Sequence, residues 1–162
     1  MEELIKELLF TGNIIQDSDE SVPWPERETR FNRYIELLDS ISGSEGLLVA
    51  KAIIQSMQSE NDYGAYQTTQ STLGKFPSEE YIEALISELP SMIERKSEWA
   101  GELLCGLANS VGTKYESDIH LFTKKLSESP TKSRNIVLQY INQQEHEGWL
   151  EHRIGVLSAN DA

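Results

Sequence analysis

Apolar residues fall at helical spacing along nearly the whole chain, and this constrains the fold more than any other feature. Leu4, Ile5, Leu8 and Leu9 make one face of a short first helix, since residues three and four apart share a helix face. The pattern returns in Phe31, Tyr34, Ile35, Leu38 and Ile41, then in Leu47, Ala50, Ile53, Ile54 and Met57. It returns again in Tyr81, Ile82, Leu85, Ile86 and Leu89, and in Trp99, Leu103, Leu104, Leu107 and Val111. Later stripes are Tyr115, Ile119, Phe122 and Leu126, then Ile136, Val137, Tyr140 and Ile141, and last Leu150, Ile154 and Leu157. Another helix is expected from about Tyr66 to Lys75. "LLVAKAII" reads as a strand in isolation, but its alanines and its continuation through Met57 favour a helix. The expectation is an all-α chain of eight or nine short helices, in one domain over residues 1–162.

Punctuation refines this. Pro23 and Pro25 flank Trp24, and Pro25 suits a first helical turn, where its missing N–H has no partner to lose. Ser44-Glu45 is expected to cap the third helix, and Ser78 the fifth, with Glu79 and Glu80 at the positive end of its dipole. The stripe ending at Leu89 meets Pro90, which should start a separate short turn, and Ser97 should cap the helix whose buried face begins at Trp99. "YIELLDSI" at Tyr34 recurs as "YIEALISE" at Tyr81. Repeats of roughly 40–47 residues with two helices each are the period of HEAT-type solenoids. The architectures compatible with this are stacked helical hairpins of HEAT-like type, or otherwise an irregular bundle.

Charge narrows the partners. The chain has 27 acids and 14 bases, a net charge of −13. Such a field repels nucleic acid and anionic membrane surfaces, and draws in a basic protein; in its plainest role it keeps a small protein soluble. Within the acidic loop at about 12–28, Asp17, Asp19 and Glu20 precede Trp24, and Glu26 and Glu28 follow it. From Ala52 to Glu94 seven acids face one base, Lys75. Glu94, Glu98 and Glu102 are spaced to line one helix face. Acidic loops often serve only as solvated connectors, yet an aromatic ringed by acids is also the make-up of a binding hot spot. Chosen by charge and expected exposure, the candidate partner-binding residues are Asp17, Asp19, Glu20, Trp24, Glu60, Asp62, Glu79, Glu83, Glu98 and Glu102.

Reactive chemistry is not recognisable. "HEGWLEH" places His146 and His152 six apart, where a metalloprotease helix needs four. His120 has no nucleophile near it in sequence, and no phosphate loop or nucleophile elbow occurs. Lys124, Lys125, Lys132 and Arg134 lack interleaved aromatics and read as a solvated helix end rather than a nucleic-acid site. The single cysteine, Cys105, sits in an apolar run and reads as a buried thiol in a reducing compartment. The N-terminus lacks a basic signal-peptide start, and no apolar run approaches about 18 residues. A cytoplasmic protein with no catalytic residues, cofactor or metal is expected.

The stretch Phe76 to Ser110, "FPSEEYIEALISELPSMIERKSEWAGELLCGLANS", resembles the core of the immunity protein 30 family of bacterial polymorphic-toxin systems. The resemblance lies in Leu89-Pro90, Glu98-Trp99-Ala100, Leu103-Leu104 and Leu107-Ala108-Asn109-Ser110; Cys105-Gly106 stands where that pattern has a basic residue. It implies a protein that neutralises a cognate toxin, such as one of a contact-dependent growth inhibition system. A basic nuclease toxin suits an acidic partner. Two other readings stay open: a HEAT-like adaptor for another basic protein, and a small α-helical enzyme with an abnormal carboxylate in a deep pocket.

Overall fold

The computed structural model describes residues 1–148 and 153–158. All its regular elements are helices. Among the described residues there are seven, rather than eight or nine: α1 (Glu2–Gly12), α2 (Trp24–Ser40), α3 (Leu47–Gln55), α4 (Ala65–Leu73), α5 (Ser78–Ala108), α6 (Ser117–Glu128) and α7 (Thr131–His146). None is long and apolar enough to cross a membrane. The chain divides into two compact units, Met1–Ala84 and Leu85–Ala162.

In the first unit α1 packs on α2 and α3, and α4 on α2 and α3. Of the expected stripes, Leu8, Tyr34, Leu38, Ile41, Ala50, Ile53, Ile54 and Met57 are buried, and Leu4, Ile5, Leu9, Phe31, Ile35 and Leu47 half-buried; Val49, outside them, is buried too. Burying each large apolar side chain contributes roughly 1.5–3 kcal/mol. Leu48 stays exposed, so α3 is not enclosed all round. The two buried tyrosine hydroxyls of this core are paired, as low-dielectric surroundings favour. The Tyr34 hydroxyl lies 2.7 Å from Ser56 Oγ and 2.8 Å from Thr69 Oγ1. The Tyr66 hydroxyl donates to the Gly12 carbonyl at 2.9 Å and accepts from the Gln58 and Ser59 backbone N–H groups.

Two expectations at helix starts are corrected. Ser44-Glu45 does not cap α3: Gly46 holds the cap position at φ 88°, with no side-chain bond to the helix. Glu45 turns back instead, its carboxylate accepting from the Ser42 and Gly43 backbone N–H groups and the Ser42 hydroxyl. At α5 the first bond of the regular four-residue ladder runs to the Pro77 carbonyl, from Tyr81 N at 3.0 Å, which places Ser78 inside the helix rather than at its cap.

The second unit runs from Leu85 and is built on the rest of α5 with α6 and α7. Pro90 does not start a separate turn; α5 continues through it, because buried Leu89 and Met92 hold both sides in helical packing. The break comes at Lys96, with φ −146° and ψ 63°. There the Tyr140 hydroxyl of α7 donates to the Ser97 carbonyl. A side chain inserted into the helical ladder is a recognised cause of a sharp bend. The same kink separates Glu94 from Glu98, so these acids and Glu102 do not share one regular face.

Leu103, Leu104, Leu107, Ile119, Phe122, Leu126, Val137 and Ile141 are buried. Trp99 and Cys105, expected to be buried, are only half-buried. Trp99 falls directly after the kink, which rotates the start of the stripe away from the core. Tyr115 lies outside α6 and is exposed beside Lys114, whose Nζ sits 4.9 Å from its ring. Of the last expected helix, residues 154–158 form turns, and Leu150, Glu151 and His152 lie outside the described residues.

Candidate functional site

The segment between α1 and α2 is irregular in backbone but heavily bonded. Arg27, in the first turns of α2, reaches back into it. Its guanidinium donates to the carbonyls of Val22 at 2.6 Å, Asp17 at 3.2 Å and Gln16 at 3.4 Å, and also to that of Asp19. Charge-assisted bonds of this kind are the stronger class. Because all four acceptors are carbonyls, Arg27 shapes the loop without taking up its carboxylates.

A second set of bonds fastens this loop to the turn before α4. The Gln16 amide donates to the Asn61 carbonyl at 2.9 Å and accepts from the Asn61 N–H at 3.0 Å. The Asp17 N–H donates to the Tyr63 phenol. Tyr63 itself adopts φ 49°, followed by Gly64 at φ 87°, and Ala65 N closes the turn on the Asp62 carbonyl at 2.9 Å. A bulky side chain in left-handed backbone is uncommon and persists only where its surroundings hold it. Here Asn61 Oδ1 accepts from the Tyr63 N–H at 2.9 Å, and Asp62 Oδ2 accepts from Tyr66 N at 2.8 Å.

Beside these ties lies a groove of about 340 Å³, its apolar and aromatic lining Ile14, Ile15, Phe31, Trp24 and Tyr63 and its polar lining Asp17, Arg27, Glu28 and Asn32. That volume lies at the small end of ligand clefts, roughly 300–1,000 Å³. Trp24 is 64 % exposed and Tyr63 41 %. Pro23 in the cap position and Pro25 in the first turn fix the backbone on either side of Trp24. Among the described residues no hydrogen bond or ion pair engages the carboxylates of Asp17 or Glu28. Asp19 differs: the Ser21 hydroxyl and then its backbone N–H hold this carboxyl below the usual carboxylate range.

Of the sequence-derived candidates, Asp17, Asp19, Glu20 and Trp24 fall on this loop and the start of α2, and Glu60 and Asp62 on the segment fastened to it. Asp62 is half-buried and engaged with α4, while Glu60 is exposed. Glu79, exposed, and Glu83, half-buried, stand on the first turns of α5 in the same unit. Glu98 and Glu102 are exposed in the second unit. Sequence reasoning missed Ile14, Ile15, Arg27, Asn32 and Tyr63 as part of a site, and assigned Phe31 wholly to the core. The signal available for Tyr63 was an aromatic inside the turn "NDYG". Among the described residues no group of three His, Cys, Asp or Glu side chains is placed to hold a metal ion.

The fold and site therefore define an all-α chain bearing an acid-edged aromatic groove on a fastened loop. No family model, curated protein or solved structure matches the chain. Its functional reading rests on its own residues.

Proposed function

We propose that this chain is a cytoplasmic immunity protein that binds and neutralises a cognate bacterial toxin domain, a basic nuclease being the class its charge suits. One observation carries the reading: exposed Trp24 shares a groove with Asp17 and Glu28, on a loop held by Arg27, Gln16 and Tyr63. Binding to a prearranged loop avoids much of the ordering entropy that a flexible loop loses on association. The −13 charge adds long-range attraction for a basic partner and faster encounter. Neutralisation by binding needs a scaffold and a surface, and no catalytic group.

HEAT-like stacking is part of this proposal. It is supported by the helix pairs in contact in the first unit, α1 with α2, α3 with α4, α1 with α3 and α2 with α4, which two stacked hairpins would also make. This register differs from the repeat read in sequence, which pairs α2 with α3.

The test is co-expression with the product of the adjacent gene. The tagged protein should retain that product through purification and protect cells from its toxicity. Failure of both retention and protection overturns the proposal.

A further inference from the structure

We infer that the groove between Trp24 and Tyr63 receives an arginine side chain of the protein partner, its guanidinium plane against the aromatic wall and its charge on Asp17 and Glu28. This rests on the neutralising role proposed above for its partner class, though the groove chemistry is argued from its own residues. Ile14, Ile15 and Phe31 supply an apolar floor for an aliphatic stem. Trp24 and Tyr63 supply exposed ring faces, which attract cations through the aromatic quadrupole.

Asp17 and Glu28 outnumber Arg27 in the lining, so a groove with much apolar surface carries net negative charge. A long basic side chain matches that lining, with its stem on the apolar side chains and its charged head on the carboxylates. Arginine fits better than lysine because its planar head both stacks on rings and forks onto carboxylates. The same unit already contains such a stack, with the Arg30 guanidinium carbon 4.0 Å from the centre of the Phe10 ring. Arg27 does not fill the role itself, since it is committed to loop carbonyls.

The test uses the full chain labelled with nitrogen-15 and three probes: acetyl-Gly-Arg-Gly-amide, its citrulline counterpart and its lysine counterpart. Citrulline keeps the shape of arginine and removes the charge. The arginine peptide should shift the Trp24 indole and the Asp17 and Tyr63 amide signals saturably at millimolar concentration, and the lysine peptide less. The citrulline peptide should leave these signals in place. Asp17→Asn with Glu28→Gln should weaken the arginine response by about fivefold, the scale of exposed charge pairs acting together. Equal responses to arginine and citrulline, or an unchanged response in the double variant, overturn the charge-based site. Equal responses to arginine and lysine overturn the arginine assignment.

The two proposals fail separately. If the adjacent-gene product binds Trp24→Ala as tightly as the native chain, the groove is wrong and the immunity reading stands. If the peptide occupies the groove but no adjacent-gene product is retained and no protection is seen, the groove stands and the immunity reading falls.

Discussion

The backbone N–H of Asp17 donates to the phenolic oxygen of Tyr63 at 2.9 Å, across 46 positions of sequence. This bond joins an acidic loop to an aromatic turn and makes them one surface. Tyr63→Phe keeps the ring and the backbone but deletes the acceptor. The loss of global stability should be at most about 1 kcal/mol, as for one exposed hydrogen bond. The Asp17 amide should exchange with solvent roughly fivefold faster, the kinetic equivalent of such a bond. An unchanged exchange rate would assign the ordering of the loop to Arg27 alone.

Tyr63 carries a backbone strain that its side chain must justify. Tyr63→Gly relieves a positive φ that glycine adopts freely. It also removes a groove wall. Thermal stability should change by less than about 1 kcal/mol, the strain relief offsetting the lost bond to Asp17. Affinity for the arginine peptide should fall at least about threefold, the scale of one exposed cation–ring contact. Full affinity in a stable variant would remove Tyr63 from the site.

Two glycines set how closely the first unit packs. A Cβ on Gly43 would lie 2.2 Å from the Lys75 carbonyl oxygen, at φ +92°. Gly12 would bring one to 2.6 Å from Ser56 Cβ, 2.7 Å from the Ser56 carbonyl oxygen and 2.9 Å from the Tyr34 ring. Gly46 has a similar φ of +88° with nothing within 4 Å. Gly46→Ala therefore measures backbone strain alone, about 1 kcal/mol. Gly43→Ala should cost at least about 2 kcal/mol more, and Gly12→Ala about 1–3 kcal/mol through overpacking. Denaturant midpoints check the order; equal losses at Gly43 and Gly46 would dismiss the clash.

How much of this was legible in sequence follows from how local each cause is. Period-3.6 stripes predict helices because burial acts on neighbours within one helix, so Tyr34, Ile53, Leu104 and Phe122 were placed inward correctly. Pro90 was misread because a lost N–H is a local signal, while the burial of Leu89 and Met92 that holds the helix is tertiary. The kink at Lys96 coincides with the break expected at Ser97, but Tyr140, which inserts there, is 43 residues away. Trp24 and its acids were visible as composition. Their union with Tyr63 was not, because it depends on bonds from Gln16 and Asp17 to residues some 45 positions on.

Tyr140 gives the protein an alkaline signature. Burial, then the nearby charges of Glu147 and Glu98, push its phenol up to about 12. Burial raises Tyr34 in the same direction. In the unfolded chain such phenols release their protons near about pH 10. The folded state therefore binds more protons than the unfolded state between about pH 10 and 12, and stability falls across that window as pH rises. Below about pH 10 the contribution is fully present. Tyr140→Phe should lower the neutral-pH midpoint, because the Ser97 carbonyl loses its donor, and should flatten the alkaline decline. An equally steep decline in the variant would exclude Tyr140 as a contributor.

Charge reversal by region separates general attraction from a built site. One variant replaces Asp17, Glu20 and Glu28 with Lys, and the other replaces Glu94, Glu98 and Glu102. Both triples are exposed and change the net charge equally. Folding should be nearly unaffected in each, since surface substitutions away from special features have small effects. With the adjacent-gene product as partner, both should associate more slowly at low salt, because steering depends on the whole field. The first should lose about tenfold or more, because its acids belong to the groove and its loop, and the second only about two- to threefold, as part of the general field. Only the first should also dissociate faster, as its acids meet the partner directly. High salt should remove most of the difference in association, screening acting over about 8–10 Å, but should leave the difference in dissociation. Equal losses in the two variants would mean that the acids act as a diffuse field with no site at the groove. Native kinetics in both would exclude acidic steering altogether.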